Sequence, residues 1–490
     1  MLAQSVSRRA AMSNAANISL GRETLSGTVA KIVMALAGFV GSIVFARVLG
    51  PTMFGGVYLL LGLVRIVDRP MSGWAAAGKK RLSESDNLRN EALGANLLFN
   101  TLWIIVVTIG ILLFAKSLRE YTGLLAAPLL LILLLSSESV FITLERLVQA
   151  RGRISTAVWL DTVRSYLTLG LQLLLVIAGL GAVGMIVGLA GASLATLPIV
   201  VFYLSARPRT PSKELLRRYW RFAKYSIPSD ALGTIYDRLD ILLLGAVLTP
   251  TVAGYYEAAF KLTIPAIFIA EVAGSGLMAK TSAISARGGN IHLDIENTIS
   301  FTSLIAIPIC FGTLVFADEI IVTAYGGAFA AAAPLLIALA IYRVIRTQSG
   351  PLLQAVNGLD RPDISMRLSA IAVVVNIVGG IGLILWIGPV GVVVSTIAAE
   401  SIRYVGAALL LKQELTTINL IPHSLLEQVG AGLAMFIIVT SIQSFIQINS
   451  WVYLALIIGL GGFTYFLFLF AVSSKFRMTL QSAVPSVKIV

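Results

Sequence analysis

Seven cations and five carboxylates stand inside long apolar runs of this 490-residue chain. The cations are Arg65, Arg69, Arg238, Lys261, Arg343, Arg346 and Arg403; the carboxylates are Asp68, Asp237, Asp240, Glu257 and Glu400. An ionised group at membrane depth costs several kcal/mol unless it meets water, a ligand or a partner. Two kinds of chemistry follow: opposite charges that lock helices together, or a polar cavity that takes a charged ligand. Arg238, Lys261 and Arg403 each have a carboxylate within about one helical turn of sequence, which favours pairing. Arg65 and Arg69 share the single Asp68. Arg343 and Arg346 have no acid nearby in sequence. Arg65, Arg69, Arg343 and Arg346 are therefore the leading candidates for a ligand site, with Asp68, Arg238, Lys261, Glu400 and Arg403 as further cavity charges. By the helical rise Arg65 lies roughly 15 Å from the outer end of its run, near the midplane.

The elements that carry these groups are membrane spans. The chain is 57% hydrophobic and 12% charged, with a mean hydropathy of +0.89; soluble domains carry about a quarter charged residues. The apolar runs reach the roughly 20 residues a spanning helix needs. They are rich in Leu, Ala, Val, Ile and Gly without alternation, which excludes a β-barrel. The reading is an all-α polytopic membrane protein with about 14 spans, near 27–49, 55–78, 93–115, 123–146, 157–179, 183–205, 225–247, 255–279, 299–318, 333–355, 368–387, 390–412, 428–447 and 451–472. Residues 1–26 are polar and lack the apolar core of a signal peptide. With both termini in the cytoplasm, only Lys116 and Arg119 of the 37 Lys and Arg fall in outer loops, as the positive-inside rule requires. Lys31, Asp161, Arg164 and Asp230 are close enough to the inner surface to snorkel. Glu138 and Glu145 form a polar seam or a coupling site. Pro70, Pro198, Pro228, Pro265, Pro308 and Pro351 predict kinks. Cys310 is the single cysteine, and His292 and His423 are isolated, so no metal site and no cofactor are expected.

The longest loop, 206–224, ends in an amphipathic helix. Lys213, Arg217, Arg221 and Lys224 share one face, with Trp220 beside them, and Leu215, Leu216, Tyr219 and Phe222 lie largely on the other. Such a helix is expected to lie on the anionic inner leaflet.

The chain repeats itself. Arg47-Val-Leu-Gly-Pro-Thr-Met-Phe-Gly55 returns as Ala246-Val-Leu-Thr-Pro-Thr-Val-Ala-Gly254, an offset of 199. Gln149-Ala150 returns as Gln354-Ala355, offset 205, and Gly181-Ala-Val-Gly184 as Gly388-Pro-Val-Gly391, offset 207. Colinear matches of this kind mark a duplication. Six spans per repeat is an even number, so the halves are parallel, related by a pseudo-two-fold axis along the membrane normal. The division is then 1–26, a cytoplasmic segment; 27–205, a first six-helix lobe; 206–224, the basic linker; 225–412, a second lobe; 413–472, two further helices; and 473–490, a cytoplasmic tail. The doubled motif reads as an outer hairpin: Gly50-Pro51 ends one helix, Gly55 and Gly254 permit a tight return, and Arg47 reaches the outer interface.

"ARVLGPTMFG" resembles the signature of the polysaccharide-export (Wzx-type, O-antigen and exopolysaccharide) flippases of the multidrug/oligosaccharidyl-lipid/polysaccharide exporter superfamily, and the two-lobe plan with two extra spans is similar over nearly the whole chain. Val57 stands where the family commonly has an aromatic, with Tyr58 next to it; the second copy keeps the aromatic in Tyr255-Tyr256. The resemblance implies a non-enzymatic transporter of the cytoplasmic membrane. It would move a polyprenyl-diphosphate-linked oligosaccharide from the inner to the outer leaflet by alternating access. Its partners would be membrane lipids and other polysaccharide-assembly membrane proteins, with no nucleic acid. In that setting Arg65, Arg69, Arg343 and Arg346 become a diphosphate clamp, because guanidinium offers forked, permanently charged donors.

Competing expectations are a peptidoglycan lipid II flippase, a cation-coupled multidrug exporter and, from another class, a membrane polysaccharide polymerase. The first has the same plan and a basic cavity. Span one carries Lys31 and Arg47 and no acid, unlike one group of drug exporters. No large outer loop is present for a polymerase.

Overall fold

The computed structural model describes residues 20–287, 289, 291–415, 418–443 and 450–483, with side chains described from 37 onward except 86, 229, 482 and 483. These residues form helices α1 (Leu20–Val67), α2 (Arg69–Glu84), α3 (Arg89–Leu113), α4 (Ala115–Thr122), α5 (Ala127–Ala150), α6 (Ile154–Leu175), α7 (Gly181–Leu204), α8 (Lys213–Val247), α9 (Pro250–Thr263), α10 (Phe268–Ser285), α11 (His292–Ile299), α12 (Ala306–Tyr325), α13 (Ala333–Gly358), α14 (Pro362–Ile387), α15 (Val390–Glu414), α16 (His423–Gln443), α17 (Trp451–Val472) and α18 (Ser474–Ala483). Among the described residues, 11 helical stretches are long and apolar enough to cross a membrane. The protein is an all-α, multi-pass membrane protein. Five of those stretches, 37–67, 154–204, 250–285, 306–325 and 327–358, contain internal breaks or changes of helix type. The charged helices α2 and α8 are not among the 11.

Glycine and proline place the breaks. Gly50 has φ 69°, a conformation that suits glycine, and Pro51 follows it. At Asp68 the rod bends where Pro70 withdraws its N–H. The nearby carbonyls of Val67 and Arg65 accept from the Trp103 indole at 2.9 Å and the Arg69 Nε at 2.8 Å. In the second half the helix tightens to 3₁₀ over Ile264–Ile267 around Pro265. Pro198, Pro228 and Pro351 lie within continuous helices.

The two copies of the duplicated motif touch one another. Thr52 Oγ1 and Thr251 Oγ1 share a hydrogen bond of 2.8 Å. A methyl group on Gly55 would strike the Pro250 carbonyl and lie 2.6 Å from the Gly254 nitrogen; one on Gly254 would strike the Pro51 carbonyl and lie 3.1 Å from the Gly55 nitrogen. The contact is reciprocal, as contacts about a two-fold axis are. Backbones approach this closely only where side chains are absent. Arg47 differs from its expected role. Its Nε donates to the Ala324 carbonyl at 2.8 Å and its Nη2 to that of Thr323, so it caps the C-terminal end of α12 and lies 5.8 Å over Trp451.

The linker also departs from expectation. Ser212 caps α8, its Oγ accepting from the Leu215 amide at 3.3 Å, and the basic segment runs without a break into the next span. Leu215, Tyr219 and Ala223 are buried. Tyr219 packs 5.3 Å from Trp74 and accepts from Asn96 Nδ2 at 3.5 Å. The apolar face thus docks on the first half rather than on lipid. Trp220 remains 57% exposed. At this end the halves meet again: Ser226 donates to the Gly73 carbonyl at 3.3 Å and Arg218 pairs with Glu84 at 2.8 Å. Helices α16 and α17 stand apart from the duplication and pack on α12 through Met435, Val439, Ile457 and Tyr465. Residues 1–19 and 484–490 of the two terminal segments lie outside the described residues.

Candidate functional site

Between the two contact zones lies a cavity of about 340 Å³. Helix α1 brings Arg65 to its wall and Asp68 follows at the bend; α5 brings Glu138 and α6 brings Arg164. The second half contributes Arg238 from α8, with Glu257 and Lys261 from α9. Most of these charges have internal partners. Asp68 pairs with Arg69 at 3.2 Å and accepts from Ser139 at 2.7 Å. Glu138 accepts from Arg164 at 3.0 Å and also from Ser193. Arg164 reaches Asp161 at 2.8 Å and stacks 4.5 Å over Phe141. Lys261 lies 3.5 Å from Glu257 and 4.9 Å over the ring of Tyr58.

Arg65 and Arg238 are different. Neither guanidinium makes a hydrogen bond or an ion pair among the described residues, and both line the cavity, one from each half. Asp237 is exposed and Asp240 faces elsewhere. Residues at i±1 and i+2 on a helix do not face one another, so Arg238 is free of the neighbours that sequence proximity suggested.

The expected clamp of Arg65, Arg69, Arg343 and Arg346 is not assembled in this structure. Arg69 is held by Asp68. Arg343 is 3% exposed, donates from Nε to Thr263 at 3.0 Å and stacks 4.3 Å over Phe260. Arg346 lies against Glu400, with 3.2 Å to each carboxylate oxygen. Glu400, fully buried, also accepts from Arg403 at 3.0 Å, from Tyr236 at 2.5 Å and from Ser349. Arg346, Glu400 and Arg403 thus form one knot between α8, α13 and α15. Arg164, expected to snorkel, is instead a cavity residue. The signal for it was Glu138, a carboxylate in an apolar run with no facing cation on its own helix.

A second polar cluster surrounds Asp240. It accepts from Thr396 at 2.8 Å, Asn376 at 2.9 Å and Tyr256 at 3.1 Å. These donors satisfy the buried carboxylate as a hydrogen-bond network between α8, α9, α14 and α15. Among the described residues no three His, Cys, Asp or Glu gather as metal ligands.

A family model described as "Polysaccharide biosynthesis protein" matches residues 44–334. The chain belongs to this family. The match spans the doubled motif and every residue of the cavity wall from Arg65 to Lys261. Among curated proteins similar to this chain is Agl15 of Haloferax volcanii, a probable low-salt glycan biosynthesis flippase. It is 28% identical over 391 residues, covering 79% of this chain and 82% of that one. AglR of the same organism, a probable flippase, is 22% identical and the match covers 90% and 94% of the two chains. The structure also superposes on the lipid II flippase MurJ in an inward closed conformation, with TM-score 0.78, 15% identity and coverage of 93% and 99%. The chain therefore shares the fold of this flippase.

Proposed function

We propose that the protein is a flippase that carries a polyprenyl-diphosphate-linked oligosaccharide from the inner to the outer leaflet of the cytoplasmic membrane, for O-antigen, capsule or exopolysaccharide assembly. The observation that carries this reading is the pair Arg65 and Arg238: two guanidinium groups without internal partners, facing one cavity from opposite halves. A diphosphate bridged between them gains forked, charge-assisted hydrogen bonds. Lys261, tethered at 3.5 Å to Glu257, supplies a third cation. The sequence-proposed clamp is thereby revised: Arg65 stays, and Arg238 and Lys261 replace Arg69, Arg343 and Arg346. Alternating access requires that the contacts at the hairpin end and at the linker end open in turn. We place the linker and both termini in the cytoplasm, on the distribution of Lys and Arg.

The test is translocation of a fluorescent polyprenyl-diphosphate oligosaccharide in proteoliposomes. Arg65→Ala and Arg238→Ala should each lower the rate tenfold or more with normal incorporation. The Lys variants should retain part of it, since ammonium keeps the charge and loses the fork. Wild-type rates in both alanine variants would remove the proposal. Lipid II, also a diphosphate-linked saccharide, makes the same demand on this cavity, and competition between the two headgroups separates those substrates.

A further inference from the structure

A second opening, about 350 Å³, lies between α10 and α13 in the second half. Its polar wall is Glu271, Arg346 and Gln354; Gly274, Gly350 and Pro351 make the room. The first half shows what the same seam looks like when filled. By the offset of 205 that relates Gln149 to Gln354, Pro351 corresponds to Arg146 and Gly350 to Glu145. By the offset of 199, Glu271 corresponds to Ser72. In the first half Arg146 donates to the Ser72 carbonyl at 2.5 Å, Gln149 donates to Glu145 at 2.9 Å, and Lys79 donates to Gln149 at 2.7 Å. The Arg146 and Lys79 bonds stitch α2 to α5, and the Gln149–Glu145 bond within α5 orients Gln149. In the second half proline and glycine replace the arginine and the glutamate, and the stitches are gone.

We infer that this slot binds a neutral saccharide unit of the transported lipid-linked substrate. The inference rests on the diphosphate reading above and adds a separate subsite to it. The donor set selects the ligand class. Arg346 uses Nη1 on Glu400, which fixes the guanidinium; Glu400 is shared with Arg403, so the cluster keeps one positive charge. Nε and Nη2 make no protein hydrogen bond among the described residues. Glu271 is exposed and offers a carboxylate acceptor, and the Gln354 amide offers both a donor and an acceptor. An anion is opposed by Glu271, whose charge offsets the one left on the Arg346, Glu400 and Arg403 cluster. A cation is opposed by Arg346. An apolar chain would strand three polar side chains at the cost of their desolvation. Sugar hydroxyls, each both donor and acceptor, satisfy all three, and Ile267, Ala270 and Pro351 provide an apolar face for the ring C–H groups. The slot is tied to the helix that carries Arg238: Arg346 lies 6.0 Å from the ring of Tyr236 on α8.

The experiment uses the full-length protein in detergent with two probes, a polyprenyl diphosphate without sugar and the same lipid bearing an oligosaccharide. Gly350→Leu fills the slot; a Cβ at this position meets nothing within 4 Å, so the fold is not forced. It should weaken binding of the saccharide-bearing lipid tenfold or more and leave binding of the sugar-free lipid at the wild-type level, which also reports correct folding. Glu271→Gln, which keeps shape and removes the charge, should weaken the saccharide-bearing lipid several-fold and spare the other. Equal effects on both lipids, or no effect on either, overturn the saccharide slot. That failure is distinct from failure of the diphosphate reading, in which Arg65→Ala and Arg238→Ala would bind the sugar-free lipid as tightly as wild type.

Discussion

Removing Glu400 tests whether Arg346 is there to hold helices or to serve a ligand. The carboxylate is 0% exposed and accepts from Arg346, Arg403, Tyr236 and Ser349. Glu400→Ala leaves two guanidinium groups facing each other with 27% and 11% side-chain exposure. Breaking a buried pair from one side costs about 3–5 kcal/mol. Arg346 has the slot to turn into, so the lower end of that range is the expectation. About 3 kcal/mol changes the folded-to-unfolded ratio by roughly a hundredfold. Unfolding in detergent micelles should show it as a clear loss of thermal midpoint, with Glu400→Gln intermediate. Replacing Arg346, Glu400 and Arg403 together by Met should restore most of the midpoint, because well-packed apolar replacements of buried ion clusters are often neutral. Transport of the saccharide-bearing lipid should stay low in that restored protein. Recovery of transport along with stability would show that Arg346 is only a lock. A Glu400→Ala midpoint equal to wild type would refute the energetic argument itself.

Three further outcomes are expected. With Cys310 replaced by Ser, Thr52→Cys and Thr251→Cys should cross-link under oxidant, since hydroxyl oxygens 2.8 Å apart bring the Cβ atoms close to disulfide range. Transport should stop and return on reduction; undiminished transport by the cross-linked protein would show that this contact need not open. Asp240→Ala should cost about 1–3 kcal/mol, the penalty for stranding buried donors, seen as a lower midpoint and lower yield. An unchanged midpoint would mean that Thr396, Asn376 and Tyr256 find other acceptors. Gly254→Leu should depress yield more than Gly350→Leu, because a Cβ at 254 strikes backbone and one at 350 meets open space; equal yields would count against the tight crossing.

Helices were legible because apolar runs and proline-glycine punctuation are local signals: the expected spans fall mostly on helix, the turn at residues 300–305 being an exception, and Pro51, Pro70 and Pro265 stand at the breaks. Charge partners were not, because they come from afar. Arg346 meets Glu400, 54 residues away, and Arg164 meets Glu138, 26 away. Arg238 errs in the opposite sense, since its sequence neighbours Asp237 and Asp240 point elsewhere on the helix. The linker shows a third limit. Periodicity announces an apolar face on Leu215 and Tyr219 but not whether lipid or Trp74 covers it.

The reciprocal crossing at Gly55 and Gly254 has a bearing on ancestry. On the duplication that the repeated motif leads one to expect, a single six-helix unit would have met a second copy of itself there, and the seam would be a homodimer contact now written within one chain. In a dimer every substitution at the seam appears twice, and both faces must accept it together. Fusion removes that constraint. The residue before the proline has since parted company, glycine at φ 69° in one copy and an extended threonine at φ −145° in the other, while the Pro-Thr pair and the crossing glycine persist in both. The same freedom would apply to the paired seams deeper in the molecule, where one half has Arg146 as a stitch and the other has a slot.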